Sequence, residues 1–384
     1  MNLLFLSNVS GKKIGSFSKA SLQASKELGV NFHYAANIDA MTVKQKAEDE
    51  NNLNIKIHHI PFTRNIFSKN NYKSMEVLDK IITEYDIDII HCNTPIGGVV
   101  GRLIAKKYPD IYLIYEAHGF HFFRGGPIKS ILLYKNVERY LARYTDTLIT
   151  MNEEDYLSSK RFKLKNNSQS YFKISGVGVT MQDSSKVFNE VEKRNQRKQL
   201  NLSNDQLVFV FLGDLIERKN LRIVIEVISK LKEPNIKFLI CGEGPLKDEL
   251  RKISNDSIEF LGYRTDIQNI LLASDCLLFP SLQEGLPRTV LEAMSYGLPC
   301  IVSNIRGNTD LIDHNGGILC NPKSNEEFYR AIIQMKELKI TGKIETLGRY
   351  NFEKVKDYSD ESVKRQMTKI YKDSFLKGKN KLNE

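Results

Sequence analysis

Two glutamates, Glu284 and Glu292, lie in a segment whose pattern predicts the junction between a strand and a helix. The strand-like run ends at Pro280, and the helix is predicted to begin near Pro287, where the missing N–H of proline costs nothing. Backbone N–H groups at such a helix end attract anions such as a diphosphate. A carboxylate can accept hydrogen bonds from the vicinal hydroxyls of a sugar or a ribose. The segment therefore predicts a site for a nucleotide-activated sugar. The alternative is that Glu284 caps the helix and Glu292 is solvated.

Two cations, Arg218 and Lys219, follow a strand-like run in the same half of the chain, where that strand gives way to a helix. Cations so placed can neutralise a diphosphate and stabilise the charge that grows on a leaving group. Gly242 lies in a Gly-Glu-Gly-Pro turn after the next strand. Because this turn lacks the third glycine of a dinucleotide fingerprint, it is weak evidence for NAD.

In the first half of the chain, His118 follows a strand-like run. An imidazole at the carboxyl end of a strand faces the ligand crevice in doubly wound folds, where it could donate a hydrogen bond to a sugar or phosphate. A lone histidine is more often structural, and that interpretation is kept for His121. After the first strand, Gly15 is preferred over Gly11 as a glycine that lets the backbone approach a ligand closely.

The motif Glu284-Gly-Leu-Pro with Glu292-Ala-Met resembles the donor site of family 4 retaining glycosyltransferases, which have the GT-B fold. The resemblance implies that Glu284 faces the transferred sugar and that Glu292 holds the ribose. It also implies that the catalytic groups include His118, Arg218 and Lys219. The further donor-binding positions that it implies are Gly15, Gly242, Tyr263, Arg264, Gly285, Leu286, Arg288 and Thr289.

The runs 117–155 and 303–308 resemble a bacterial subgroup that builds capsule and exopolysaccharide repeat units. This resemblance implies transfer of a hexose or N-acetylhexosamine from a UDP-sugar to a saccharide linked to undecaprenyl diphosphate. It implies retention and no metal or other cofactor, with UDP-sugar as a substrate. Two alternatives remain open, a UDP-sugar epimerase of similar fold and a non-catalytic subunit that binds sugar nucleotides.

The elements that must position these residues alternate between strands and helices. Five strand-like runs precede residue 150 and six follow residue 205, with helical periodicity between them. Such alternation predicts parallel sheets covered by helices, so the fold class is α/β with two Rossmann-like domains that face each other. The predicted boundaries are an acceptor domain over 1–180, a polar linker over 181–204 and a donor domain over 205–357. A basic amphipathic helix over about 358–384 could pack back on the first domain.

Charge and composition indicate which classes of binding partner the protein could have. The formal net charge is +10, and the segment 122–144 interleaves five cations with aromatic and aliphatic residues. This pattern predicts a helix that lies on an anionic membrane surface or, alternatively, packs on its own sheet. We find no motif for nucleic acid. The Asp-Ile-Asp at 86–88 is interpreted as a strand start, so no metal site is predicted. Five isolated cysteines and the absence of an apolar leader indicate a cytoplasmic protein, peripheral on the inner face of the membrane.

Overall fold

The structure is a computed structural model that describes residues 1–63, 68–93 and 95–382. The chain divides into two compact units. The first contains Met1–Gly178 together with the segment that starts at Asp360, and the second contains Val179–Ser359. The predicted C-terminal helix extends to 384, and its last two positions lie outside the described residues.

The first unit is built on a parallel sheet of seven strands in the order β3-β2-β1-β4-β5-β6-β7. The order reverses between β1 and β4, which places the carboxyl ends of these strands at a topological switch point, the usual ligand edge of a doubly wound sheet. The central strands are apolar because helices cover both faces. The strands are β1 (Asn2–Val9), β2 (Asn31–Asn37), β3 (Lys56–His59), β4 (Ile89–Asn93), β5 (Tyr112–Ala117), β6 (Thr147–Thr150) and β7 (Tyr171–Lys173).

Among the described residues, six helices of the first unit precede the second unit along the chain. The first, third and fourth carry apolar faces at helical spacing and bury them on the sheet. The helices are α1 (Lys19–Glu27), α2 (Val43–Leu53), α3 (Lys69–Glu84), α4 (Pro95–Ala105), α5 (Ile128–Leu141) and α6 (Glu153–Ser159).

The second unit repeats the scheme with six parallel strands in the order β10-β9-β8-β11-β12-β13. Its strands are β8 (Leu207–Leu212), β9 (Ile236–Cys241), β10 (Ile258–Gly262), β11 (Cys276–Phe279), β12 (Cys300–Ser303) and β13 (Gly317–Cys320). Its helices are α7 (Ser184–Val187), α8 (Glu190–Gln199), α9 (Leu221–Leu231), α10 (Lys247–Lys252), α11 (Ile267–Ala273), α12 (Arg288–Ser295), α13 (Asn308–Leu311), α14 (Asn325–Ile340) and α15 (Ile344–Lys354).

The C-terminal helix α16 (Asp360–Leu382) packs against α1 in the first unit. Lys19 forms an ion pair with Asp360 at 2.6 Å, and the side chain of Gln366 accepts a hydrogen bond of 2.9 Å from the backbone of Ser175. Tyr371 is fully buried. The last helix is therefore part of the core of the first unit.

The stretch 181–204 corrects the prediction of a linker, because it forms α7 and α8 and belongs to the second unit. Arg197 is buried and donates a 2.6 Å bond to Asp275, and Lys193 donates to the other oxygen of that carboxylate at 2.7 Å. Burial raises the pKa of Asp275, but Lys193 and Arg197 hold it well below its usual range. The polar composition that suggested a linker serves this buried ion pair instead.

Candidate active site

The carboxylate of Glu284 is the centre of a cluster of charges at the carboxyl edge of the second sheet. Its Oε1 lies 2.7 Å from Nζ of Lys219 and 2.9 Å from Nη1 of Arg218. Arg218 also donates to the carbonyl of Gln283 at 2.7 Å. Lys219 is mostly buried, with its ammonium 4.6 Å from the ring centre of Phe279. The structure thus brings together three of the predicted residues, and two cations share one anion.

The loop that carries Glu284 is held by the segment between β12 and α13. Arg306 donates a 3.1 Å hydrogen bond from Nε to the carbonyl of Glu284. Gly307 has a φ of 82°, and a Cβ at this position would lie 2.2 Å from the carbonyl oxygen of Gly285. A side chain cannot fit there without moving the loop. The motif 303–308, noticed in the sequence only as part of a resemblance, therefore positions the loop that contains Gly285 and Leu286.

Helix α12 begins at Arg288 directly after this loop, and no side chain caps it. Pro287 occupies the capping position, with a φ of −73° and a ψ of 116°, and is not the first helical residue as predicted. The hydroxyl of Thr289 donates to the carbonyl of Leu212 at 3.3 Å, which ties the start of α12 to the end of β8. The positive end of the helix dipole therefore lies at the same sheet edge as the Glu284 cluster.

Glu292 lies one turn further along α12. Its Oε1 accepts a 2.9 Å hydrogen bond from Nε of Arg288, and its side chain is 32% exposed. Burial raises the pKa of Glu292, and Arg288 opposes this shift without cancelling it. Glu292, the residue predicted to bind the ribose, thus has a partly buried but accessible carboxylate that is paired with the neighbouring Arg288.

Glycines end three neighbouring strands of the second sheet. A Cβ on Gly242 would lie 1.8 Å from the carbonyl oxygen of Gly213, and the N–H of Gly242 donates to the carbonyl of Gly262 at 2.8 Å. Gly242 also has a φ of 150°. Only glycine fits this close packing of backbones. The ends of these strands therefore expose backbone atoms, with no side chain at the glycine positions to block a ligand.

The loop after β10 is less favourable to its predicted role. Tyr263 is 79% exposed. Arg264 forms a two-pronged ion pair with Asp266, through bonds of 2.7 and 2.6 Å. The structure therefore uses the guanidinium of Arg264 to stabilise its own loop, and a contact with a base stays a prediction.

In the first unit, His118 follows β5 and lies next to a buried carboxylate. Its Nε2 is 3.4 Å from Oε1 of Glu116, and its ring packs edge-on against Phe17 with centres 5.1 Å apart. Burial lowers the pKa of His118, although Glu116 opposes this effect. At neutral pH the imidazole is therefore uncharged, suited to hydrogen bonding with a polar ligand.

The loop after His118 is held by the start of α6. Asp155 is buried and its Oδ2 accepts a 3.1 Å hydrogen bond from the backbone of Phe120, while Glu154 accepts one of 2.7 Å from the backbone of Arg124. Sequence reasoning noticed this acidic run without assigning it a function. His121 packs against Tyr134 with ring centres 5.1 Å apart.

Gly15 lies before a short turn that leads into α1, and its carbonyl accepts hydrogen bonds from the backbone and the hydroxyl of Ser18. A Cβ on Gly15 would have no atom within 4 Å, and the same is true of Gly11. Neither position needs glycine for steric reasons within the first unit. The residue of this loop that contacts His118 is Phe17, which sequence reasoning missed because an exposed aromatic carries no motif.

No group of three or more His, Cys, Asp or Glu side chains that could hold a metal occurs in the part of the chain that the structure describes. The expectation of a metal-independent reaction stays a prediction. Within the second unit, Arg218, Lys219 and the uncapped start of α12 offer positive charge to an anion.

Comparison with known proteins gives the class of this chain. The family model described as "Glycosyl transferases group 1" matches residues 192–353, and the one described as "Glycosyl transferase 4-like" matches residues 32–152. The crystal structure of Anabaena Alr3699/HepE in complex with UDP and glucose superposes with a TM-score of 0.73, covering 97% of this chain and 100% of that one at 18% identity. The predicted GT-B fold is confirmed.

Two relatives that are similar in sequence show the family to which the chain belongs. The chain is 33% identical over 320 residues to EpsD of Bacillus subtilis. This match covers 81% of each of the two chains. It is 32% identical over 291 residues to UDP-Gal:alpha-D-GlcNAc-diphosphoundecaprenol alpha-1,3-galactosyltransferase of Escherichia coli, covering 72% of this chain and 73% of the relative. The chain belongs to the family 4 glycosyltransferases, as the donor-site motif predicted.

Proposed function

We propose that this glycosyltransferase moves a hexose or N-acetylhexosamine from a UDP-sugar to a saccharide linked to undecaprenyl diphosphate, with retention and without a metal. The observation that carries the proposal is the cluster of Glu284, Arg218 and Lys219 beside the start of α12. The names of two similar proteins support the ligand classes: one relative uses UDP-Gal and a diphosphoundecaprenol acceptor, and one fold neighbour binds UDP and glucose.

The charge balance of the cluster suits a diphosphate leaving group. Two cations face one carboxylate, so the cluster keeps one positive charge in excess within a partly buried site. An incoming diphosphate takes up Arg218 and Lys219 as partners, and the end of α12 adds its dipole. Glu284 is then released to accept hydrogen bonds from hydroxyls of the transferred sugar. Such preorganised charge stabilises the transition state in which the leaving diphosphate becomes more negative.

Glu292 supplies the second contact. Its carboxylate is paired with Arg288 through one oxygen, so a ribose can bind at the other or replace the guanidinium. Hydrogen bonds to a charged group contribute about 1.5–3 kcal/mol each, which is enough to anchor a nucleotide whichever sugar it carries. The proposal assigns ribose to Glu292 for this reason.

The acceptor proposal includes a membrane, and α5 is the part of the first unit that suits one. Across the described residues, no helix has both the length and the apolar character needed to cross a bilayer. The acid on α5, Glu138, points inward, where it pairs with the buried Arg102 at 2.6 Å and accepts a 3.1 Å bond from Tyr115. The outer face of α5 is left with exposed apolar residues: Ile128, Leu132, Leu133, Val137 and Tyr140.

Cations are interspersed with these apolar residues. Lys129 and Arg139 are exposed on α5, and Arg143 is exposed just after it. An exposed helix face that mixes apolar and basic residues and carries no acid suits the headgroup region of an anionic bilayer. We propose that this face brings the enzyme to the inner leaflet of the cytoplasmic membrane, where lipid-linked acceptors are held.

The test is a transfer assay with purified full-length protein, a panel of UDP-sugars and undecaprenyl-diphosphate saccharides in vesicles. We expect one UDP-sugar to lose its sugar only when acceptor is present, with the acceptor mass raised by one hexosyl or N-acetylhexosaminyl unit. Conversion of the UDP-sugar to an isomer without acceptor would indicate an epimerase. A lack of turnover together with tight UDP binding would indicate a non-catalytic subunit.

A further inference from the structure

A row of buried polar side chains leads from the C-terminal helix to His118. The hydroxyl of Tyr371 on α16 lies 2.7 Å from Nδ1 of His91 on β4. The Nε2 of His91 lies 3.0 Å from Oε2 of Glu116 on β5, and Oε1 of Glu116 lies 3.4 Å from Nε2 of His118. Four side chains of the first unit, on α16, β4, β5 and the loop after β5, therefore form one continuous path.

The middle of this row is buried, and the hydroxyl of Tyr371 also faces the side chain of Ser21. His91 is 0% exposed and Glu116 is 2% exposed. Nε2 of His91, Oε2 of Glu116 and Nε2 of His118 are buried, and none of the three has a partner at hydrogen-bond geometry among the described residues, so their contacts along the row are close approaches rather than aligned hydrogen bonds. Buried polar atoms are costly to leave unpaired, so each of these atoms depends on its neighbour in the row.

The chemistry of the groups decides where the protons lie. Burial raises the pKa of Tyr371, so its hydroxyl keeps its proton and can donate to Nδ1 of His91. Because Nδ1 accepts that bond, the N–H that His91 presents to Glu116 is the one on Nε2. Burial raises the pKa of Glu116, but His91 and His118 lower it below its usual value, so the carboxylate is charged. An ionised carboxylate can only accept hydrogen bonds, so the nitrogen of His118 that faces Glu116, Nε2, should carry a proton.

We propose that Tyr371, His91 and Glu116 are positioning residues that hold the proton of His118 on Nε2, so that Nδ1 accepts a hydrogen bond from a hydroxyl of the transferred sugar. This inference rests on the proposed role of His118 and reverses the expectation that its imidazole donates. The titratable groups that face His118 are Glu116 and His91, and its other ring neighbour is Phe17. The C-terminal helix thereby contributes to the site through Tyr371, 280 residues from His91 in sequence.

The experiment measures the tautomer of His118 by ¹⁵N NMR in the full-length protein, together with kcat and KM for the UDP-sugar. In the wild type we expect Nε2 to carry the proton and Nδ1 to carry the lone pair. In Glu116→Gln, Tyr371 still donates to His91, so the amide oxygen turns to His91 and the amide N–H₂ turns to His118. The proton of His118 then moves to Nδ1. We expect kcat to fall at least about tenfold, with KM changed less than about twofold, because a displaced proton on a catalytic imidazole slows turnover.

Tyr112→Phe is the matched control, because it removes a buried hydroxyl of the same unit that bonds to Thr147 at 2.9 Å and lies outside the row. We expect Tyr112→Phe to keep both the tautomer and the rate. If Glu116→Gln does not fold, Tyr371→Phe replaces it, with an expected fall in kcat of about threefold relative to Tyr112→Phe.

A proton on Nδ1 in the wild type would overturn the inference. So would an unchanged tautomer or an unchanged kcat in Glu116→Gln, or a Tyr371→Phe rate equal to that of Tyr112→Phe. Failure of the proposed function has a different signature, since the wild type would then transfer no sugar to the acceptor, whatever the tautomer of His118.

Discussion

Replacement of Lys219 by methionine tests the charge cluster with little change in side-chain volume. The ammonium lies 2.7 Å from Glu284 and 4.6 Å from the ring centre of Phe279, and the side chain is 11% exposed. The methionine chain can fill the same apolar slot against Phe279. Arg218 remains 2.9 Å from the carboxylate, so Glu284 keeps one cationic partner. The fold of the loop should therefore survive the change.

The magnitude follows from the charge count. The wild-type cluster has two cations and one anion, whereas the variant has one of each and offers no excess positive charge to a diphosphate. Loss of one preorganised contact to a developing charge typically costs about 10²–10³ in rate, or about 2.7–4 kcal/mol. We expect kcat/KM for the UDP-sugar to fall by that factor. Little change in Tm is expected, because the charge removed had to be desolvated in the folded state.

The assay compares initial transfer rates and thermal unfolding for the wild type, Lys219→Met and a control, Lys336→Met. Lys336 forms a similar 2.8 Å ion pair with Glu233 in the same unit and is 31% exposed. We expect the control to keep its rate within about twofold. A Lys219→Met enzyme as fast as the control would refute the argument that this ammonium stabilises the leaving group.

Other perturbations test the remaining parts of the account. Glu292→Ala should weaken UDP binding at least about tenfold in calorimetry. Protonation of Glu292 removes the charge that accepts the hydrogen bonds of the ribose. Because the pKa of Glu292 is raised, the UDP affinity of the wild type should begin to fall at a higher pH than it would if this glutamate were exposed. His118→Ala should lower kcat more than UDP affinity. Gly307→Ala should weaken donor binding, because a Cβ would lie 2.2 Å from the carbonyl oxygen of Gly285. Leu132→Glu with Leu133→Glu should abolish flotation with anionic vesicles.

Each of these expectations has its own contrary result. UDP affinity that is unchanged in Glu292→Ala would remove the ribose from that residue. An unchanged donor KM in Gly307→Ala would show that the loop tolerates displacement. For the membrane face the control is Val43→Glu, since Val43 is 88% exposed on α2 of the same unit. Equal loss of vesicle binding in both variants would contradict a specific role for α5.

The sequence predicted the central strands and the family well, because these depend on local patterns. Edge strands such as Lys56–His59 and Tyr171–Lys173 were missed, since they are short and only partly buried. The stretch 181–204 was misjudged as a linker because its pattern does not show that Arg197 is buried on Asp275. Charge patterns along a chain do not reveal partners that are distant in sequence.

The site residues also differ in whether a local sequence pattern could indicate their contacts. The sequence predicted that Arg218 and Lys219 neutralise a diphosphate, and the structure shows both on one oxygen of Glu284, a contact that the sequence did not predict. The row through Tyr371, by contrast, joins residues that no motif connects. Only the packing of α16 into the first unit brings them together.

The central claim is that UDP binds at the edge of the second sheet, between the charge cluster and α12. A crystal structure of the full-length protein grown with UDP tests this most directly. The account predicts a diphosphate within hydrogen-bond distance of the side chains of Arg218 and Lys219 and at the start of α12, with the ribose hydroxyls on Glu292. UDP bound elsewhere on the chain, with Glu284 and Glu292 still paired as described above, would contradict it.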